Sequence, residues 1–543
     1  MKPSQNSLIH ADILREIHAD IAATLGIDLS KECAKALRIL ETRGLAALND
    51  WFGLRLAFVE NGLRPKSPEY SQLFELCGPF EKDDERSVSH AEATAFACAR
   101  QLLHLFRKTS DAPCLQTEEE ALAAFKERQA SHEIPLSTDQ YQLAEEISKE
   151  LFAILDDCNV SDLVCDVGPG ASFEKRPHAD RVLKHDARYS SIAFYGSEPE
   201  EVGRLSRWCA VPKTYKSHRL IFIEPSSRML VQKALMSWLY DQAATYPLKS
   251  HCNFEDQSFQ HRRMRRDDAC TIDLSDASDH IDRRVVWRAF RRHPRLRALL
   301  FGTRSIACDN GMRFTAYSTM GNATTFPVMT YILTAVCRIA ISQVRAREPR
   351  EGRRMRLHAA VFGDDIVCSE VLAGSVRCVL GSLGLRVNAV KSYTRKNFKE
   401  SCGLDLYGRY DVTPIKLKNL VDINPTTHSR WLAYANSLFQ RGFWRASDVL
   451  VSHILSRYPK TAFGPIGTPD CIWSFTIPEP EGMWDRDYQR YVPWTPRSRR
   501  VATQSYDCEA MLDYALAHGR RVVTTLADDR REEIPFGFRA QAG

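Results

Sequence analysis

Apolar residues recur three or four positions apart through HADILREIHADIAATLG (10–26) and SHAEATAFACARQLLHLFRK (89–108), which predicts amphipathic helices and a mostly helical region to about residue 155. Between them SPEYSQLFELCGPFEKDDERS breaks the pattern with Pro, Gly and a run of charge. From 160 to 230 the texture turns to short β-like runs, DLVCDV, SIAFYG and RLIFIE, set apart by Gly and Pro. The next two hundred residues alternate strands (ACTIDLS, AVFGDDIVC) with helices (RVVWRAFRR and the apolar run 326–341). The region 460–500 is rich in Pro, Gly and aromatics, which predicts an irregular but packed segment. With no internal repeat and no long linker, the expectation is one interlocked body with subdomains.

Composition narrows the class. The 543 residues are 44% hydrophobic and 26% charged, an ordinary globular balance with room for a sizeable core. The formal charge is only +6, yet the basic residues cluster in HRRMRR (261–266), RRHPRLR (291–297), RAREPREGRRMR (345–356) and RSRR (497–500). Such clusters suit a polyanion, nucleic acid first, although any one of them also suits a solvated helix face. Sixteen cysteines fall without a CxxC pair, a usage that fits a reducing compartment. The first residues lack the apolar core of a signal peptide, and Arg338 interrupts the 326–341 run. A soluble intracellular protein is expected.

Candidate chemistry centres on AVFGDDIVC (360–368), where apolar flanks bracket Gly363, Asp364 and Asp365. Buried carboxylates are costly, and two so close resist joint ionisation unless a cation holds them. Upstream, ACTIDLSDASDHID (269–282) delivers Asp273 at the end of a strand-like run, with Asp276 and Asp279 following. Should the two strands pair, Asp273 and Asp364 converge as a hard oxygen site suited to Mg²⁺. Two such ions about 4 Å apart activate an attacking hydroxyl and stabilise a leaving phosphate oxygen. Read alone, Asp-Asp is sooner a solvated turn; the second Asp-bearing strand upstream turns the reading toward a metal site.

Three further stretches fit that chemistry. YSTMGNATTFPVMTYIL (317–333) gathers Ser318, Gly321, Asn322 and Thr325 before an apolar helix, suited to ribose and template phosphate, though an ordinary capped helix reads the same way. CAVPKTYKSHRLIFIEPSSR (209–228) spaces Lys213, Lys216 and Arg219 by threes, suited to a triphosphate or to a basic surface loop. GLRVNAVKSY (384–393) places Lys391 where it suits protonation of departing pyrophosphate; a solvated lysine is the alternative.

The order VPKxxKxxRxIxIEP, DLSxASD, SxMGNxxTF, GDD and KESCGxDxYxxxDVTP (399–414) resembles the RNA-directed RNA polymerases (replicase beta subunits) of single-stranded RNA bacteriophages, the leviviruses, Q-beta replicase type, over roughly residues 160 to 420. The resemblance implies an α+β right-hand polymerase: a helical region 1–155 bridging fingers and thumb, fingers at 156–268 with the basic NTP loop, and a palm at 269–405 with a finger insertion about 300–325. A thumb and C-terminal region follow at 406–543. It implies Asp273 and Asp364 as metal ligands with Asp365 in support, and Asp279 and Asn322 in ribonucleotide selection. GPGAS (168–172) is similar to the family's glycine-rich loop near the template path, which assigns Gly168, Gly170 and Ser172, with Thr325, to RNA contact. Asp276 stands where the family often has a small residue.

The expected reaction is RNA-templated RNA synthesis with two Mg²⁺ (Mn²⁺ as substitute), NTPs, a single-stranded template and the nascent RNA, in the cytoplasm of an infected bacterium. The resemblance also implies host elongation factors Tu and Ts and other host RNA-binding proteins as partners, and no membrane. A reverse transcriptase, or an inactive RNA-binding scaffold of the same fold, are the competing readings.

Overall fold

The computed structural model describes residues 5–61, 69–77, 87–109, 114–130, 134–164, 170–173, 205–245, 251–347, 355–394, 397–418, 423–424, 427–468, 470–475, 482–487, 489–496 and 538–540. The first amphipathic pattern forms the helix Gln5–Leu25 and the second the helix His90–His104. The latter opens on a capping box: Glu92 N–H donates to Ser89 Oγ, and Ser89 N–H donates to the Glu92 carboxylate.

The strands are short. β1 (Leu205–Pro212) and β2 (His218–Ile223) make an antiparallel hairpin, as RLIFIE predicts. β3 (Ala269–Ile272) comes from ACTIDLS, and β4 (Ala307–Cys308) runs parallel to β1. β5 (Ala359–Phe362) and β6 (Asp365–Ser369) form the AVFGDDIVC hairpin, and β7 (Phe398–Ser401), β8 (Leu404–Tyr407) and β9 (Tyr410–Asp411) form a further antiparallel sheet. DLVCDV is no strand over its described residues: Val160–Asp162 is a 3₁₀ turn, and 165–167 lie outside the described residues, as do SIAFYG and RSRR. In 460–500 the irregularity is relieved by a parallel pair, Phe463–Gly464 with Ile472–Trp473, and an antiparallel pair, Gly482–Asp485 with Arg490–Pro496.

The sheet that matters is ordered β3-β6-β5, antiparallel throughout. Alternation sorts its two faces. Cys270, Ile272, Ile366 and Cys368 join the main core with the helix Thr325–Arg347, while Ala269 and Val367 meet Met264 and the β8 residues Leu404 and Leu406. Both faces are covered, which is why the strands read as continuous apolar runs rather than alternating ones. The helix Thr325–Arg347 is long and apolar enough to cross a membrane, but 78% of its apolar window is buried inside the fold. The architecture is mixed α+β, as expected.

A second core joins the two ends of the chain. Helices from Ile9 to Phe106 pack against residues of β7, β8 and the helices His428–Gln440 and Trp444–Arg457. The Asp20 carboxylate accepts from the N–H groups of Arg445 (3.2 Å) and Ala446 (3.0 Å), capping the last of these helices. Arg100, 1% exposed, is held between Glu60 and Asp405 of β8. The β7–β8 hairpin beside the central sheet is thereby anchored to the N-terminal helices.

Candidate active site

Phe362 pairs with Asp365, so Gly363 and Asp364 are the two loop residues of the β5–β6 hairpin. Positive φ occurs only at the first of them (Gly363, +64°), the pattern of a type II′ turn, which right-twisted strands favour. The turn is packed from below. Gly363 N–H donates to Thr330 Oγ at 3.0 Å, and a Cβ on Gly363 would sit 2.5 Å from the Phe326 ring. The helix Thr325–Arg347 thus fixes where Asp364 projects.

β3 reaches the same place from the other side. Ile272 is opposite Ile366, so one further step of register sets Asp273 across from Asp365. Opposed residues share a face, here the one turned away from the main helix. Asp273 is also tied on its outer edge: Asn388 Nδ2 donates to its Oδ2 (3.0 Å), Asn388 N–H to its carbonyl (2.9 Å), and its own N–H donates to Ser392 Oγ (3.1 Å). These bonds belong to segment 387–393, which runs antiparallel to β3 through Thr271–Tyr393 and Leu274–Val387 bridges. The sequence positions 273 and 364 therefore meet.

The electrostatics record that meeting. Burial raises the Asp273 pKa; Lys391 opposes the rise, and the charges of Asp364 and Glu400 add to it. Burial, then Asp364 and Asp273, push Asp365 up to about 7, with Cys402 pulling the other way. Lys391 is exposed and near enough for its charge to act on Asp273. These are carboxylates whose ionised forms lack compensation, the deficit that a divalent cation relieves. Their donor atoms are hard oxygens, and that chemistry fits Mg²⁺ or Mn²⁺. Among the described residues no three His, Cys, Asp or Glu side chains form a ready-made metal cluster. The protein supplies an open edge of carboxylates rather than a closed cage.

Several participants carried no signal of their own. Glu400 adds charge beside Asp273 from β7, yet the sequence offers it only as one letter of KESCG. Cys402 N–H donates to Asp365 Oδ2 at 3.2 Å. Gln260, inside the basic run HRRMRR's helix Ser258–Met264, donates to the carbonyls of Ala360 (3.1 Å) and Asp365 (3.0 Å). One element of that basic stretch thus buttresses the acidic hairpin. Such roles depend on contacts between residues 37 to 127 positions apart, which local pattern does not encode.

The nucleotide and RNA candidates fall in two groups. Lys213, Lys216 and Arg219 are exposed on the β1–β2 hairpin, and Lys216 pairs with Asp50 at 2.5 Å. Asp279 is buried in the short helix Ala277–His280, where Arg128 Nε meets its Oδ2 at 3.0 Å. Burial raises the Asp279 pKa, Arg128 lowers it, and Asp276, exposed with φ +48°, raises it again.

The SxMGN loop is bonded internally. Asn322 donates to the buried Glu224 at 3.2 Å and accepts from Thr324, while Thr325 Oγ donates to Ser318 Oγ at 2.9 Å. Gly321 (φ +117°) makes a close approach to the Phe222 carbonyl of β2, 2.1 Å from where a Cβ would lie. Of the glycine-rich loop, Gly168 lies outside the described residues, Gly170 is exposed, and Ser172 is buried beside Phe173, whose N–H donates to the Glu224 carbonyl at 3.0 Å. Glu224 is thus a hub between three motifs that sequence treats as separate.

Comparison with known proteins places this geometry. Residues 185–427 match the family model described as RNA replicase, beta-chain. The chain is 31% identical over 219 residues to the RNA-directed RNA polymerase beta chain of Escherichia phage MS2, covering 39% of this chain and 37% of the relative. It is 24% identical over 249 residues to the RNA-directed RNA polymerase subunit beta of Escherichia virus Qbeta, covering 44% of this chain and 40% of that one. The alignments therefore span well under half the length of these relatives. Among solved structures, the RNA-dependent RNA polymerase of a human picobirnavirus aligns at TM-score 0.42 and 12% identity over 64% of this chain and 76% of that one. Asp273, the Asp364–Asp365 hairpin and the loop from Ser318 all lie inside residues 185–427, the segment that is similar to the RNA replicase beta-chain family.

Proposed function

We propose that this chain is an RNA-directed RNA polymerase, joining a ribonucleotide to the 3′ end of a growing RNA on an RNA template and releasing pyrophosphate. One observation carries the reading: Asp273 and the Asp364–Asp365 hairpin share one edge of the β3-β6-β5 sheet, within the segment that matches replicase beta chains. In this reading residues 269–405 are the palm, with a finger insertion about 300–325. Residues 156–268 serve as fingers, 406–543 as thumb, and 1–155 bridge them.

Asp273 and Asp364 would hold two Mg²⁺ ions, with Asp365 in support and Mn²⁺ as a substitute. Bound there, the ions supply charge neutralisation at the α-phosphate and acidify the attacking hydroxyl. The protein's own groups do the rest. Lys213, Lys216 and Arg219 neutralise the triphosphate, Asp279 with Asn322, Ser318 and Gly321 frames the sugar, and Lys391 gives a proton to the departing pyrophosphate. The resemblance to the family's glycine-rich loop is what supports a template role for Gly168, Gly170 and Ser172, with Thr325 joined to them in that role. The enzyme works in the cytoplasm of an infected bacterium, with host elongation factors Tu and Ts and other host RNA-binding proteins as partners.

The test is primer extension on a defined RNA template, with rNTPs or dNTPs, using the chain alone and with host lysate. Incorporation of rNTPs that Asp364→Asn abolishes while RNA binding persists is the expected result. Preference for dNTPs would make it a reverse transcriptase, and normal incorporation by Asp364→Asn would remove the assigned site.

A further inference from the structure

A cleft of about 410 Å³ opens between the helices Thr138–Phe152, Arg283–Ala289 and Pro294–Thr303. Three rings, Tyr141, Trp287 and Phe301, form its apolar walls, and none of the catalytic carboxylates reaches it. Tyr141 and Trp287 are each 46% exposed, a large aromatic surface to leave in water. Trp287 meets Phe301 edge-on at 4.9 Å, and Arg297 covers it at 4.2 Å, so its plane is fixed.

Four guanidinium groups face the same cleft, and only two are compensated. Arg284 pairs with Asp282 at 2.6 Å, and Arg288 shares Glu145 with Arg291. Arg283 and Arg304 meet no carboxylate within ion-pair distance among the described residues. Their donors reach only backbone carbonyls, Phe314 at 3.0 Å and Ala316 at 3.0 Å. Arg304 is 4% exposed and its Nε has no hydrogen-bond partner. Burial brings its pKa down to about 10, with Tyr317 and Glu224 opposing the fall and Arg283 adding to it. A buried cation with no carboxylate in ion-pair contact and an unpartnered Nε is costly, and an anion in the cleft lessens the cost.

We propose that this cleft is a second RNA-contact site, stacking an unpaired base on Tyr141 and Trp287 and taking the adjoining phosphate on Arg283 and Arg304. Exposed rings beside guanidinium groups recognise single-stranded nucleic acid, because every unpaired base offers a face and every linkage a phosphate. A duplex keeps its base faces closed and would gain nothing from the rings. The choice of RNA as the polyanion rests on the polymerase reading; the fit to an unpaired nucleotide rests on the cleft alone.

The probe is a short oligouridylate carrying 4-thiouridine, photocrosslinked to the full chain and to Asp364→Asn. Crosslinks in peptides that contain Tyr141 or Trp287 are expected in both proteins. Tyr141→Ala with Trp287→Ala should weaken oligouridylate binding about tenfold or more. Arg283→Ala should lower the slope of log affinity against log salt by about one. Elongation of a saturating primed template should stay unchanged in the Tyr141→Ala, Trp287→Ala and Arg283→Ala variants. The crosslink is read on the unsubstituted protein, so misfolding of a variant does not blunt it. Crosslinks confined to other segments would overturn the proposal, as would displacement of the RNA from this cleft by polyglutamate at equal charge, which would mark an acidic protein partner. If the chain fails to polymerise but these crosslinks persist, the polymerase reading falls and the cleft assignment stands.

Discussion

Cys402 donates its backbone N–H to the Oδ2 of Asp365 at 3.2 Å, joining the tip of the β7–β8 hairpin to the acidic strand. Ser401 pairs with Leu404, so Cys402 and Gly403 are a two-residue loop, with φ +49° and +75° in the type I′ pattern. Glycine or asparagine is the easy choice there; a cysteine pays about 1–2 kcal/mol for the left-handed conformation. His261 Nε2 lies 3.1 Å from the Cys402 carbonyl and holds the turn from the basic helix. Cys402→Gly keeps the N–H and relieves the conformation, so it should match or exceed the parent in thermal midpoint and keep activity within about twofold. Cys402→Val, β-branched at positive φ, should lose about 1–3 kcal/mol and most nucleotide incorporation. Equal behaviour of the two variants in melting and incorporation assays would dismiss the turn as a positioning device.

The carboxyl of Asp365 gives a pH dependence with a definite sign. Burial and the neighbouring Asp364 and Asp273 charges set its folded pKa at about 7, above the ordinary 3.8. Between those values the folded chain holds a proton that the unfolded chain has released, so stability falls as pH rises through the window. The contribution is at most about 4 kcal/mol. Denaturant midpoints of chelator-treated protein should decline from about pH 5 to 7, and Asp365→Asn should flatten the decline. Mg²⁺ should raise the midpoint more near pH 7.5 than near pH 5.5, since a protonated carboxyl binds it poorly. A flat profile for the parent would contradict the burial of this group.

The acidic hairpin was legible because its signal is local: two aspartates at a glycine turn between apolar runs announce strand, turn and charge together. The pairing of β3 with β6 followed from the same logic at a second site. Long-range buttresses were not legible. Nothing near Gln260 marks it as the donor to two hairpin carbonyls, since HRRMRR reads as charge and Gln260 lies one residue before it. The approach of Gly321 to β2 was not legible either, because a glycine in the sequence allows close approach without naming what approaches. Glu224 carries no signal in the sequence, and its burial with bonds to Ser305, Asn322 and Phe173 emerges only in three dimensions.

Gly363 should tolerate no side chain. A Cβ would lie 2.5 Å from Cε2 of Phe326 and 3.1 Å from Cδ2, on a residue at φ +64°. Gly363→Ala should destabilise the chain by about 1–3 kcal/mol and, by shifting Asp364, lower incorporation at least about tenfold. Phe326→Leu frees the space but not the backbone conformation, so the double variant should recover part of the loss. Rescue to the parental level would mean that the clash alone, and not the left-handed φ, makes this a glycine.

Arg128 binds the Asp279 carboxylate from a helix about 150 residues upstream, and with Asp279 framing the sugar as proposed, that contact would give the N-terminal region a part in nucleotide choice. Asp279 is buried and its pKa is raised, with the Arg128 charge the largest influence restraining the rise. Arg128→Met removes that charge while keeping most of the stem, so the carboxyl must stay protonated to higher pH. A protonated Asp279 loses one acceptor for a ribose hydroxyl. The acidic limb of the kcat/KM profile for rNTPs should therefore move to higher pH, and discrimination against dNTPs should narrow by roughly ten- to a hundredfold, the loss of one hydrogen bond to a charged group. Gln129 still ties Thr315 and Ala316 to this helix, so the fold is expected to survive. Asp279→Asn should lose the pH shift and keep part of the discrimination, because the amide oxygen still accepts. An Arg128→Met enzyme with the parental profile and a merely lower melting midpoint would reduce the pair to a structural clasp.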